Sequence, residues 1–178
     1  MIEVRGKQID TLYSETEVAS AVERVAGEVA ASFGDNLLVV SVLKGSFVFA
    51  ADLIRALHRA GVAPEVEFIT LSSYGAGTVA GEVRILRDID SDVRGRQVLL
   101  VDDILESGRT LKYARDLMLE RGAARAGIAV LLDKRMRRKA DIEADHVGFD
   151  CPDYFVVGYG MDVGHAFREL PFVGRVVE

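Results

Sequence analysis

A single cysteine, Cys151, stands in the whole chain, so no internal disulfide can form. No apolar run is long enough to span a bilayer, and Met1 to Lys7 lacks the apolar core of a signal peptide. A cytoplasmic protein with no membrane partner is expected. Positive charge is also in short supply. The net charge is −6, which argues against a surface built for nucleic acid. The local exception is Arg135, Arg137, Arg138 and Lys139, a basic run that reads as a solvated loop. Repeats and low-complexity tracts are missing. Hydrophobic residues fill 49% of the 178 positions, which sets disorder aside and fits one domain over residues 1–178 with a sizeable core.

What the chain does have is an apolar run that ends in acids. Val98 to Val101 reads as a buried parallel strand, and Asp102 and Asp103 follow it directly. The end of such a strand is the carboxyl edge of a sheet, where open α/β folds bind ligands. Ile104, Leu105 and Glu106 come next, then Ser107, Gly108, Arg109 and Thr110, where a loop enters a helix. Backbone N–H groups at such a place are unpaired and suit a phosphate. Acids that can hold hydroxyls or a metal thus stand beside a nest for an anion, a combination that suits a phosphorylated sugar. Val-Leu-Leu-Val-Asp-Asp alone would also open a response-regulator receiver domain, so the residues after Asp103 decide.

The rest of the chain supplies the frame. Ser14-Glu15-Thr16-Glu17 is a capping box, and Val18, Val22, Val25, Val29 and Phe33 mark one face of the helix it starts. Leu37 to Leu43 is a buried strand that runs into Lys44-Gly45-Ser46, a second anion site at the same sheet edge. A helix follows through Phe47, Leu53, Ile54 and Leu57. Glu65 to Leu71 forms a strand, Ser72 to Gly77 a small-residue loop, and Val83 to Leu86 a returning arm. After the central loop come a helix over about Thr110 to Glu120, and a buried strand, Ala126 to Leu132, ending in Asp133-Lys134. Strands that alternate with helices predict an α/β fold with a doubly wound, mostly parallel sheet.

The stretch from Val98 to Thr110 resembles the phosphoribosyl-pyrophosphate (PRPP) signature of type I phosphoribosyltransferases: apolar strand, two acids, then Ser/Thr-Gly-x-Thr. Leu43-Lys44-Gly45-Ser46 resembles the pyrophosphate loop of the hypoxanthine-guanine branch, where the Leu-Lys peptide bond can be cis. Ser73-Tyr74-Gly75 is similar to that family's flexible lid, and Pro152-Asp153-Tyr154-Phe155-Val156-Val157-Gly158-Tyr159, with Asp162, to its purine-binding segment. The resemblance runs from about Ser14 to Val176 and is strongest to the bacterial hypoxanthine phosphoribosyltransferases. It implies the type I fold, with a small hood built from the N-terminal residues and roughly 135–178. It also implies an enzyme of purine salvage, in which N9 of hypoxanthine or guanine attacks C1 of PRPP to give a nucleoside monophosphate and pyrophosphate.

The same resemblance assigns roles. Asp102 and Asp103 would hold the ribose hydroxyls and stand near magnesium, with Asp162 at a second ion. Ile104 to Thr110 would bind PRPP, and Ser107, Gly108, Arg109 and Thr110 would cradle its 5′-phosphate. Lys44, Gly45 and Arg168 would face pyrophosphate. Lys134 would donate to the purine 6-oxo group, Phe155 would stack on the ring, and Val156 would supply backbone contacts. Glu106 would be the general base near N7, and Ser73 and Tyr74 would belong to the lid. A homodimer or homotetramer is expected. Two positions depart from the family: Glu106 stands where Asp is usual, and Val163 where an aromatic is usual. A xanthine- or guanine-preferring enzyme and a PRPP-fold regulator that senses nucleotide and binds RNA are the rival readings. The regulator would not need Lys134, Phe155 and Asp162 together. Cys151 and the three histidines receive no role.

Overall fold

The computed structural model describes residues 1–74 and 82–177, with Tyr74 by its backbone alone. A short hairpin, β1 (Ile2–Val4) and β2 (Lys7–Tyr13), leads into α1 (Glu15–Ser32). The capping box forms: Glu17 N–H donates to Ser14 Oγ at 3.2 Å, and Ser14 N–H donates to Glu17 Oε2 at 2.8 Å. Two free donors at the helix start are thereby satisfied. Next come β3 (Leu37–Leu43), α2 (Phe47–Arg59), β4 (Glu65–Tyr74), β5 (Glu82–Arg87), β6 (Gln97–Leu105), α3 (Arg109–Glu120) and β7 (Arg125–Asp133). A 3-10 turn (Arg135–Arg137), β8 (His146–Asp150), β9 (Val156–Val157) and β10 (Val173–Val177) complete the chain.

Six strands form the main sheet in the order β5-β4-β3-β6-β7-β8, parallel except for the edge strand β5. One face buries Val18, Val22, Val25 and Val29 of α1 with Phe49, Leu53 and Leu57 of α2. The other buries Leu111, Ala114 and Met118 of α3 against Leu38, Val40, Leu100 and Val130. The sheet is therefore doubly wound, and its central strands read as unbroken apolar runs because both their faces are covered. Each fully buried Val or Leu contributes about 1.5–3 kcal/mol relative to exposure. Phe47, the first residue of α2, is about half exposed. No helix among the described residues is long and apolar enough to cross a membrane.

A second, antiparallel sheet has the order β1-β2-β10-β9. It brings the first residues of the chain beside the last, around Ile9, Val157 and Phe167. Two strands of the main sheet run further than their apolar residues suggest. Strand β4 continues to Tyr74 in register with β5, where a loop from Ser72 was expected; positions 75–77 of that loop lie outside the described residues. Strand β6 continues through both acids to Leu105. Its pairing with β3 stops at Val101, but its pairing with β7 goes on to Leu105↔Asp133. The two carboxylates thus sit where one neighbour has left and the other still holds the strand straight.

Candidate active site

The acids open onto a cavity of about 460 Å³ at the carboxyl edge of the main sheet. Asp102 and Asp103 each accept a hydrogen bond from the next backbone N–H, at 2.9 and 2.8 Å, which fixes their direction. Burial, and then the charge of Asp103, hold the Asp102 carboxyl well above the usual carboxylate range. Two adjacent acids that cannot comfortably both ionise are a place for a cation. Across from them the chain turns from β3 into α2. The Leu43–Lys44 peptide bond is cis. A Cβ on Gly45 would stand 2.1 Å from Asp103 Oδ2, so glycine lets this backbone approach the acid without displacing its carboxylate. The Ser46 hydroxyl, expected to face an anion, is buried instead and bonds Ser41 Oγ and the Val42 carbonyl.

The loop after Glu106 enters α3 through Gly108, whose φ is +81°. Gly108 at the N-cap has no side chain to cap this helix; Ser107 Oγ accepts from the Arg109 N–H at 3.4 Å, and the N–H groups that follow have no partner within the helix and suit an anion. The far wall comes from β7 and the segment before β9. Lys134, only 5% exposed, follows the last residue of β7. Its ammonium donates to Glu106 Oε1 at 2.8 Å and to the Tyr154 carbonyl at 2.7 Å. An ammonium has three donors, so one is left to face the cavity. Phe155, 61% exposed, presents a bare ring beside it, and Val156 is buried in β9.

The cavity lining therefore gathers Lys44, Gly45, Ser73, Asp102 to Gly108, Thr110, Lys134, Phe155, Val156 and Asp162 from residues far apart in the chain. A phosphoribosyl transferase domain model matches residues 8–163. The hypoxanthine-guanine phosphoribosyltransferase of Aquifex aeolicus is 44% identical over 99% of both chains. The chain belongs to the hypoxanthine-guanine phosphoribosyltransferase family. Another relative, the Escherichia coli hypoxanthine phosphoribosyltransferase, is 38% identical over 95% of this chain and 96% of its own. The crystal structure of the Staphylococcus aureus hypoxanthine phosphoribosyltransferase superposes with a TM-score of 0.89 at 38% identity, covering 94% of this chain and 91% of that one.

Within this phosphoribosyltransferase frame, some expected residues stand apart. Arg109 and Arg168 do not line the cavity. Arg168 donates to the Gly160 carbonyl at 2.6 Å and pairs with Asp162 at 3.2 Å, one shell behind the Gly45 turn. Gly160 itself packs on that turn, because a Cβ there would stand 2.6 Å from the Gly45 carbonyl oxygen. Asp162 also accepts from the His165 N–H at 2.7 Å. Val163 packs against the core of the small sheet and does not line the cavity.

The basic run is solvated as expected at Arg135, Arg137 and Lys139, but it forms a 3-10 turn, and Arg138 departs from the expectation by being largely covered. Its guanidinium pairs with the Asp133 carboxylate and donates to the carbonyls of Glu106 and Ile142. The signal that could have revealed it is Asp133: an acid ending a buried apolar strand needs a cation close by. Cys151 is buried beside Tyr13, whose phenol donates to the Asp150 carbonyl and is pushed up to about 12, first by burial.

Proposed function

We propose that the protein transfers the 5-phosphoribosyl group of PRPP to N9 of hypoxanthine, and of guanine, in the cytoplasm. The observation that carries this reading is the buried Lys134 ammonium, with two of its three donors used, in one cavity with the acid pair and the glycine-led start of α3. That span matches a base at one end and a sugar phosphate at the other. Lys134 donates to the 6-oxo oxygen, Phe155 stacks on the ring, and the backbone of Val156 meets the ring edge. The N–H groups at Ser107 to Thr110 hold the 5′-phosphate, and Ile104 and Leu105 carry the strand into that loop. Lys44 and Gly45 face pyrophosphate, while Arg168 acts on the same end through Gly160. Ser73 and Tyr74 belong to a lid over PRPP.

Magnesium fits this donor set. Asp102 and Asp103 offer hard oxygens and a burial-raised carboxyl that a cation would relieve. Among the described residues no group of three or more His, Cys, Asp or Glu could hold a metal alone. The ion would therefore share Asp102 and Asp103, and a second ion Asp162, with oxygens of PRPP. Bound magnesium supplies positive charge against the leaving pyrophosphate. The residues then do the rest: the acids orient the ribose hydroxyls beside the positive charge that grows at C1, Lys134 fixes the base, and Glu106 takes or shares the N7 proton.

Side-by-side assays with hypoxanthine, guanine, xanthine and adenine test the reading. Hypoxanthine and guanine should turn over in the presence of magnesium and PRPP. Adenine should be poor, because Lys134 has no acceptor for a 6-amino group. Turnover of adenine without the oxopurines, or of xanthine ahead of both others, would overturn it. High-affinity RNA binding without any transfer would favour the regulator. A homodimer or homotetramer is proposed as well, in line with the high apolar fraction of so short a chain. Light scattering at micromolar concentration should give at least twice the monomer mass of 19.4 kDa.

A further inference from the structure

We infer that Arg138 is a positioning residue, which holds the phosphate loop and Glu106 in register with Lys134 from behind the cavity. This rests on the phosphoribosyltransferase reading above. Arg138 does not line the cavity, and its side chain is only 12% exposed. Its guanidinium spends all three nitrogens on fixed partners. Nε donates to the Glu106 carbonyl at 3.1 Å, Nη1 donates to the Ile142 carbonyl at 2.6 Å, and Nη2 pairs with Asp133 Oδ1. Asp133 is 1% exposed and its charge is shared by two cations: Arg138 on Oδ1 from the covered side, and the exposed Arg135, whose Nε donates to Oδ2 at 3.3 Å.

Neutralising Asp133 would take only a positive charge. The two carbonyls ask for more. A planar fork reaches three directions at once, which an ammonium on a flexible stem does not. The carbonyls lie on two different segments, and the segments are stitched together again nearby. The N–H groups of Lys139 and Ala140 both donate to the Ser107 carbonyl at 2.9 Å. Ile142 packs under Gly108: a Cβ there would stand 2.4 Å from Ile142 Cγ2 and 3.1 Å from Arg138 Cδ. The loop is therefore held from below by the stretch that Arg138 begins. At its other end the pair is continuous with the base pocket. Asp133 immediately precedes Lys134, and the Lys134 ammonium holds the Glu106 carboxylate. Arg138 thus fixes the backbone of the residue whose side chain Lys134 fixes. It joins the phosphate end of the cavity to the purine end without touching either ligand.

Two variants test this. Arg138→Lys keeps a charge beside Asp133 but cannot serve both carbonyls. Asp133→Leu combined with Arg138→Met removes the ion pair, an exchange that commonly leaves stability intact, frees the exposed Arg135 to solvent, and still leaves the two carbonyls without their donor. In both, KM for PRPP and the calorimetric Kd for IMP should rise about tenfold or more while KM for hypoxanthine stays within about threefold, because small misplacements of a binding loop cost large factors. Wild-type KM for PRPP and Kd for IMP in either folded variant would overturn the inference and leave Arg138 as a counter-ion for Asp133. Failure of both variants to fold would also overturn it, by placing Arg138 in the fold rather than in the site. The wild type separates the two levels. If it transfers no phosphoribosyl group to hypoxanthine, the parent reading fails; if it does and the variants match it, only the role of Arg138 fails.

Discussion

Gly108→Ala should raise KM for PRPP about a hundredfold, the cost expected when a binding loop is displaced by about 1 Å. Two independent features block a side chain here. The φ of +81° is in the left-handed region, which costs a residue with a Cβ about 1–2 kcal/mol. The Cβ would also lie 2.4 Å from Ile142 Cγ2, well inside contact distance. Ile142 is buried in the core beneath α3 and has nowhere to retreat. The loop must move instead, and the N–H groups at the start of α3 move with it. A phosphate bound by several such groups at once loses all of them together. Hypoxanthine meets Lys134 and Phe155 on the other wall, so its KM should change far less. Steady-state kinetics with each substrate varied in turn separates the two. A uniform loss in both, with a lowered melting temperature, would mean that the substitution unfolds the chain rather than the cradle. Unchanged KM for PRPP would mean that the phosphate binds elsewhere.

The frame of this site was legible because its signals are local. Strands β3, β6 and β7 announce themselves as apolar runs, since a strand covered on both faces has no room for polar residues. The capping box and the valine stripe define α1 within a few residues. The acids after Val101 and the Gly108 turn follow from spacing alone. Less visible were features set by distant partners. The small sheet pairs β2 with β10, more than 150 positions away, and β2 itself carries an exposed, mixed pattern. The extension of β6 past Asp103 depends on β7 staying alongside after β3 has left. Arg138 looks like any arginine in a basic run until Asp133 and the Glu106 carbonyl are seen to converge on it. Arg168 reads as a pyrophosphate contact, yet its hydrogen bonds go to Gly160 and Asp162, because the chain between them doubles back on the Gly45 turn.

Glu106→Gln should lower kcat by about 10²–10⁴-fold, the range expected for loss of a general acid–base group. KM for PRPP should change little, because the backbone of the loop stays as it is. The position of the carboxylate supports this. Glu106 lies in the loop just before α3, where an acid could simply face solvent or the helix N-terminus. Although its side chain is half exposed, its carboxylate reaches Lys134 at 2.8 Å and lines the cavity. A purine whose 6-oxo group meets the third Lys134 donor would place N7 on the same side as Glu106, so one lysine orients both the base and the acid that acts on it. Glutamine keeps the length and can still accept from Lys134, but it cannot take a proton. Glu106→Asp keeps the proton acceptor and gives up the reach, so it should be impaired or at best equal to the wild type. The pair of variants distinguishes proton transfer from mere pairing with Lys134. If Glu106 is the base, the Gln variant loses its rate, while the Asp variant keeps a part of it. If Glu106 only holds Lys134 in place, Gln should remain within a few-fold of the wild type across pH, and the N7 proton must leave through another group.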